Sequence, residues 1–430
     1  MANTATVKIW GNNVGAVAWD DTTGVGSFEF DPAFIKTNWD IAPIKMPLAD
    51  ANGRIFSFSE LRDSAAFKGL PGLLADSLPD KYGNALINAW LTRQGRPSDS
   101  INPVETLLFI GKRGMGALEY EPPDLKGVNT ATKIEISDLV QVANDILTGR
   151  KDFSIKLSED DRKSLLAILK IGTSAGGARA KAVITYNPLT QEIRSGQADA
   201  PKGFSHWIIK FDGVTDSQFG ASYGYGRVEM AYHLMAKDAG IEMTECRLLE
   251  ENGRAHFMTR RFDRDTDAGK IHVQSFCALQ HYDFNDVNSY SYEQLFETMR
   301  LLGLPYPQAE QLFRCMVFNV ISRNCDDHTK NFAFLMDKSG VWKLSPAFDV
   351  CYSYRPESVW VSQQSLSVNG KRKGITKDDF LSVAKQMNIK KASIIIDHIK
   401  NVVCKWKNYA GQVNVSSELT NAIQTTLIII

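Results

Sequence analysis

Asn324-Cys325-Asp326-Asp327-His328-Thr329-Lys330-Asn331, followed by Pro346-Ala347-Phe348-Asp349, is the stretch on which the reading of this chain turns. Asp326 precedes Asn331 by five positions, and a second carboxylate, Asp349, follows a short hydrophobic segment. Phosphoryl transfer asks for such a set. One carboxylate accepts the proton of an attacking hydroxyl, while an Asn oxygen and a second carboxylate hold Mg²⁺ against phosphate oxygens. Asp326 and Asp327 are adjacent and only one can be the base. The spacing to Asn331 selects Asp326.

Further parts lie upstream in a telling order. Gly172-Thr173-Ser174-Ala175-Gly176-Gly177-Ala178-Arg179-Ala180-Lys181 is a Gly-rich turn that runs into a strand-like segment. Successive backbone N–H groups in such a turn can form an anion nest. Lys210 sits in the apolar run Trp207–Phe211, where a lysine can reach nucleotide phosphates, and Glu229 on the next helix is a candidate partner for it. Each residue alone has an ordinary structural explanation. The sequence of parts (Gly-rich turn, strand Lys, helix Glu, Asp-x₄-Asn, hydrophobic Asp) is that of kinase components along a chain. There are departures. Asn324-Cys325-Asp326 stands for His-Arg-Asp, Phe348-Asp349-Val350 for Asp-Phe-Gly, and Lys330 follows Asp326 by four residues rather than two.

Around these motifs the spacing predicts an α+β protein. Strands are expected at Val7–Trp10, Val14–Trp19 and Ser27–Phe30, then a helix over Tyr82–Arg93 and another over Ile136–Leu147. A hairpin is expected around Glu251-Asn252-Gly253. Ser291 with Gln294 forms a capping-box pattern, and Pro307 can open a buried helix that ends at Asn324. Trp342–Leu344 pairs with a strand over Phe332–Leu335, and helices fill most of 376–428. The expected divisions are a small α/β region over residues 1–120, a Gly-loop-bearing region over 121–270, and a helical region over 271–430.

Composition narrows the class. The chain has 430 residues, 43% hydrophobic and 23% charged, with no net charge, so bulk charge gives no argument for autonomous nucleic-acid binding. No run approaches the ~18 apolar residues that span a bilayer. The start does not read as a signal peptide. The six cysteines lack paired or CxxC spacing and read as reduced thiols in a soluble cytoplasmic protein with no membrane partner.

The chain resembles the HipA-type toxin serine/threonine kinases of bacterial toxin–antitoxin modules. The resemblance spans nearly the whole chain. It rests on Leu73–Asp80, Ser174–Lys181, His206–Lys210, Arg260–Arg264, Asp326–Phe332 and Pro346–Asp349. It implies a protein-kinase-like, two-lobed fold with a small N-terminal α/β subdomain and a mostly helical C-terminal lobe. It further implies that Asp326 is the catalytic base and that Asn331 and Asp349 bind Mg²⁺. Gly176, Gly177, Ala178, Arg179, Ala180 and Lys181 would cover the ATP phosphates, and Lys210 would contact them. The backbone of Arg260, Arg261 and Phe262 would hold adenine, with Arg260 standing where an acidic residue is expected. His328 and Lys330 would line the nucleotide site, and Ser174 would be autophosphorylated, silencing the kinase. The implied partners are a HipB-type helix-turn-helix antitoxin, operator DNA through that complex, and a protein substrate such as an aminoacyl-tRNA synthetase. Lys371, Arg372 and Lys373, between two glycines, are candidate DNA contacts. Two other readings compete: a co-repressor on an antitoxin–operator complex with little kinase activity, and a kinase of small molecules or lipids.

Overall fold

The computed structural model describes residues 2–98, 100–123, 135–147, 179–196, 200–216, 220–221, 223–265 and 269–429. Ser174, Gly176, Gly177 and Ala178 lie outside the described residues. The chain divides into two compact units, each built from separate stretches. Unit 1 comprises Met1–Asn38, Leu48–Gly226 and Glu245–His272, and unit 2 comprises Trp39–Pro47, Arg227–Thr244 and Val273–Ile430.

Unit 1 contains two antiparallel five-stranded sheets. Strands β1 (Thr4–Ile9), β2 (Asn12–Asp20), β3 (Val25–Phe30), β4 (Ile55–Phe56) and β5 (Leu118–Glu121) form the first, in the order β4-β3-β2-β1-β5. Ala5, Val7 and Ile9 alternate into its core, as a half-buried strand requires. Trp10 and Gly11, both at positive φ, make the tight turn into β2. The second sheet takes β6 (Lys181–Tyr186), β7 (Ile193–Ser195) and β8 (Ser205–Lys210). After the short ribbon β9 (Thr215–Asp216) and β10 (Gly220–Ala221), it adds β11 (Cys246–Glu251) and β12 (Arg254–Arg260). The order is β11-β12-β8-β6-β7. The expected hairpin is there: Asn252 and Gly253 both have positive φ between β11 and β12. A last ribbon joins β13 (Arg264–Asp265) to β14 (Gly269–Lys270).

Helices α1 (Gly72–Ala75), α2 (Lys81–Arg93), α3 (Pro103–Ile110) and α4 (Ile136–Leu147) complete unit 1. Asp80 caps α2 by accepting from the Gly83 N–H at 2.7 Å, and Asn102 caps α3 by accepting from Glu105 N–H at 2.7 Å. One apolar core joins Leu86 and Leu91 of α2, Leu139 and Val140 of α4, and Ile184, Trp207 and Ile209 of the sheet. Close packing also fixes Gly226, where a Cβ would stand 1.9 Å from the Ala255 carbonyl oxygen.

Unit 2 is mostly helical, with one small sheet of β15 (His272–Ser275), β16 (Ala333–Met336) and β17 (Trp342–Leu344). Its helices are α5 (Tyr225–Asp238), α6 (Phe276–Gln280), α7 (Tyr292–Leu301) and α8 (Tyr306–Ile321). They are followed by α9 (Lys377–Gln386), α10 (Ala392–Val403), α11 (Trp406–Gln412) and α12 (Ser417–Gln424). The capping box of α7 forms: Ser291 Oγ accepts from Gln294 N–H at 3.2 Å, and Gln294 Oε1 accepts from Ser291 N–H at 2.9 Å. Pro305 leads into α8, whose Leu312, Phe313, Met316, Val317 and Val320 are buried. The early stretch 39–47 is pinned by two indoles: Trp39 Nε1 donates to the Lys338 carbonyl at 2.8 Å, and Trp342 Nε1 to the Asp40 carbonyl at 3.2 Å. Among the described residues no helix is long and apolar enough to cross a membrane.

A buried ion cluster knits unit 1. Asp263, fully buried, accepts from Arg261 at 2.6 and 2.8 Å, from Arg264 at 2.7 Å and from the Gly116 N–H at 2.7 Å. Burial alone would raise its pKa, but the two guanidiniums outweigh that and hold it well below the usual carboxylate range. On acidification the unfolded chain takes this proton first. The stabilisation is therefore complete above the unfolded pKa near 3.8 and is lost as the pH falls below it. Asp263→Ala leaves two buried cations uncompensated and should cost about 3–5 kcal/mol in urea unfolding at neutral pH. Unfolding at the wild-type urea midpoint would refute this.

Candidate active site

In unit 2, α8 ends at Ile321, and the chain turns sharply at Arg323, which has φ +61. Arg323 anchors this corner. Its Nε donates to the Thr426 carbonyl at 2.8 Å, and its guanidinium lies 4.3 Å from the Tyr354 ring centroid. Ile428 N–H donates to the Ile321 carbonyl at 3.0 Å, so the C-terminal segment also ties down the end of α8.

The loop that follows is held through its backbone. Asp326 N–H donates to Ser353 Oγ at 3.0 Å, and the Asp326 carbonyl accepts from Asn331 Nδ2 at 2.7 Å. The Asp326 side chain is 49% exposed, so a second molecule can reach it. His328 Nε2 stands 3.8 Å from it. His328 Nδ1 accepts from the Lys330 N–H at 3.2 Å and so caps the short turn Thr329–Asn331. The Phe284 ring lies 5.2 Å from the His328 ring, and Lys330 Nζ is 5.6 Å from the Phe284 centroid. Phe284 thus backs both residues, and nothing in its local sequence pointed to that.

Asn331 and Asp349 line one cleft, together with Asn319, Asn324, Asp327 and Phe348. Since Asn331 Nδ2 is engaged by the Asp326 carbonyl, its Oδ1 is the atom left to face a cation. Asp349 has φ +53, a left-handed conformation that Asp tolerates better than most residues. Its segment is fixed by Ser345 N–H to the Ala333 carbonyl at 2.9 Å and by Ala347 N–H to the Glu242 carbonyl at 2.8 Å. An Asn and one carboxylate, completed by phosphate oxygens and water, fit the octahedral demand of Mg²⁺. Such a pair needs no denser cluster, and the described residues contain no group of three or more His, Cys, Asp or Glu suited to a metal.

Asp327 borders the same cleft but is engaged within the protein. It is 1% exposed and accepts from Tyr292 Oη at 2.7 Å, from Gln364 Nε2 at 3.0 Å and from Ser365 N–H at 2.7 Å. Burial pushes its pKa up to about 6, against the opposing effect of these donors. Behind it runs a polar chain. Asn319 Nδ2 donates to Tyr292 Oη at 3.1 Å, Asn324 Nδ2 to Asn319 Oδ1 at 3.0 Å, and Ser353 Oγ to Asn324 Oδ1 at 3.0 Å. The chain returns to the Asp326 N–H through Ser353. Asn319, a polar residue inside the apolar stripe of α8, was the available sequence signal for it. Tyr292, Ser353 and Gln364 gave none.

Unit 1 holds most of the remaining candidates. Lys181 on β6 and Lys210 on β8 are directly opposite cross-strand partners, and Phe257 on β12 is opposite Lys210. Lys181 is buried, and Lys210 Nζ lies 5.8 Å from the Phe257 centroid. The Arg179 guanidinium lies 4.5 Å from the Tyr225 centroid, and Ala180 is buried. Arg260 N–H donates to the Glu245 carbonyl at 2.8 Å and Arg261 N–H to the His206 carbonyl at 2.9 Å, with the Arg260 side chain exposed. The Arg261 guanidinium serves Asp263, and Phe262 is half-buried. Glu229, in unit 2, is buried on α5. In the basic loop, Lys371 pairs with Asp379 at 2.9 Å, and Arg372 donates to the Ser365 carbonyl and, at 2.8 Å, to the Tyr290 carbonyl. Lys373 is exposed.

Comparison with known proteins places this geometry in context. Residues 173–406 match the family model of the HipA-like C-terminal domain, and residues 5–121 that of the HipA N-terminal domain. Over 152 residues the chain is 26% identical to Y4mE of Sinorhizobium fredii, described as a kinase by inference. The match covers 33% of this chain and spans only 33% of that protein's length. Among solved structures, HipA in the Shewanella oneidensis MR-1 complex of HipA, HipB and operator DNA superimposes with a TM-score of 0.69. It is 15% identical, over 98% of this chain and 94% of that one, so the likeness is one of fold.

A carboxyl ¹³C titration of Asp327 should show a midpoint near 6, against the ordinary 3.8. Between those values the folded chain holds a proton that the unfolded chain has released. This group's contribution to stability therefore falls as the pH rises from about 4 to 6 and is flat above that window. A midpoint at the ordinary value would mean that Asp327 is not buried as described.

Proposed function

This chain belongs to the HipA family, and we propose that it is an ATP- and Mg²⁺-dependent protein serine/threonine kinase acting as the toxin of a toxin–antitoxin pair. The observation that carries this reading is the 2.7 Å hook from Asn331 Nδ2 to the Asp326 carbonyl. It engages Asn331 Nδ2, so Oδ1 is the Asn331 atom for a cation in the cleft that Asp349 also lines, while the Asp326 carboxylate stays half-exposed.

Asp326 would orient a serine or threonine hydroxyl and take its proton as the new P–O bond forms. Asn331 and Asp349 would hold Mg²⁺, which supplies charge neutralisation on the phosphate oxygens when bound. The Gly176–Lys181 segment would cover the phosphates, and Lys210 would contact them. The backbone at Arg260–Phe262 would hold adenine, and His328 and Lys330 would border the nucleotide. Catalysis in this scheme is positioning plus electrostatics. Ser174 would be the autophosphorylation site, where a phosphate adds about −1.5 to −2 charge beside the phosphate-binding segment and competes with nucleotide. The target is a protein, with an aminoacyl-tRNA synthetase as the candidate the family suggests.

The Shewanella HipA was solved with HipB and operator DNA. By extension, a helix-turn-helix antitoxin and, through it, operator DNA are the proposed partners here. Any phosphate contact by the basic loop falls first to Lys373, because Lys371 and Arg372 are already engaged within the chain. The same complex supports a second reading, a co-repressor with little turnover.

Incubation with ATP and Mg²⁺, followed by intact and peptide mass measurement, separates these readings. One phosphate should appear on Ser174, and Asp326→Asn should lower transfer by about 10²–10⁴-fold, the contribution typical of a positioned general base. Chelation of Mg²⁺ should abolish transfer, and Asp349→Ala should remove the Mg²⁺ dependence of nucleotide binding. No phosphate gain in a chain that starts unmodified, with antitoxin and operator still bound, would shift the assignment to the co-repressor.

A further inference from the structure

We propose that Asp327, the carboxylate that the motif spacing passes over, is a positioning residue that fastens the segment around Gln364–Ser365 along the catalytic loop and so sets the acceptor side of Asp326. The proposal rests on the reading of Asp326 as the base.

Two residues of that segment bond to three members of the loop, Asn324, Cys325 and Asp327. Gln364 Nε2 donates to Asp327 Oδ2 at 3.0 Å and to the Asn324 carbonyl at 3.1 Å, while its Oε1 accepts from Cys325 Sγ at 2.9 Å. Ser365 N–H donates to Asp327 Oδ1 at 2.7 Å, and its Oγ to the Cys325 carbonyl at 3.1 Å. Asp327 is the centre of this zipper, since both of its oxygens are used and its third donor, Tyr292 Oη, leads through Asn319, Asn324 and Ser353 to the Asp326 N–H. A buried carboxylate is a poor device for stability alone, because apolar side chains of the same volume pack as well without the desolvation cost. What a fully satisfied buried network does supply is a single geometry.

The geometry also has a side. Segment 353–365 bonds to the loop from Asn324 to Asp327, reaching Asp326 through its N–H. Asn331 reaches Asp326 through the carbonyl. The two attachments are separate, so loosening the first misaims the carboxylate without removing the Asn331–Asp349 pair. Transfer should suffer and nucleotide binding should not.

The test compares the full chain with Asp327→Asn, Gln364→Ala and the double variant. Three measurements are made on each: binding of a fluorescent ATP analogue with Mg²⁺, thermal unfolding, and the rate of phosphate transfer from ATP to the chain itself and to dephosphorylated casein. Each single variant should lose about 10- to 100-fold in kcat for transfer, the cost of an ångström-scale misplacement, with Kd for the analogue within about 2-fold of wild type. The double variant should be little worse than the stronger single one, as for members of one network. Wild-type transfer in Asp327→Asn overturns the proposal. So does a loss of transfer that tracks a parallel loss of nucleotide affinity and thermal stability, which is what a purely structural role produces. Should Asp327→Asn not fold, undiminished transfer in Gln364→Ala overturns it. A wild-type chain that transfers no phosphate sinks the parent assignment, and this one with it.

Discussion

Much of unit 2 is arranged around one requirement: Asp326 must stay partly open to solvent and still point in one direction. Its side chain is too exposed to be aimed by packing, so the backbone is aimed instead. Ser353 takes its N–H, and Asn331 holds its carbonyl. Each holder is itself held, Ser353 by Asn324 and Asn331 by the short turn that His328 caps. The end of α8 and the irregular stretch after β17 converge on this loop.

Local rules made most of the scaffold readable in advance. Ser291 with Gln294 named the start of α7, and Asn252-Gly253 named a hairpin, because in each case the partners lie within a few residues of one another. The apolar stripe of α8 and the pairing of Trp342–Leu344 with the preceding strand followed from period alone. Within the site, the spacing from Asp326 to Asn331 corresponds to a real hydrogen bond.

What stayed hidden depends on partners far away in sequence. Spacing sets Asp327 aside, and its own role shows only when Tyr292 and Gln364 arrive from either side of it in the chain. The run Lys371-Arg372-Lys373 looks like a solvated charge cluster, yet its first two members are taken by Asp379 and by the carbonyls of Ser365 and Tyr290. Arg261 gives no sign in the sequence that its guanidinium will meet Asp263 in a buried cluster. A charge in a sequence shows no sign of the opposite charge that will meet it.

The anchoring of Arg323 by Thr426, and of Ile321 by Ile428, bears on how the protein is born. A nascent chain leaves the ribosome from its N-terminus, at about 5–20 residues per second. The loop bearing Asp326 therefore emerges well before the strap that secures its root. Until that strap is made, the corner at Arg323 lacks its clamp. The final geometry of the loop therefore waits on a residue 103 positions further along the chain than the corner it secures.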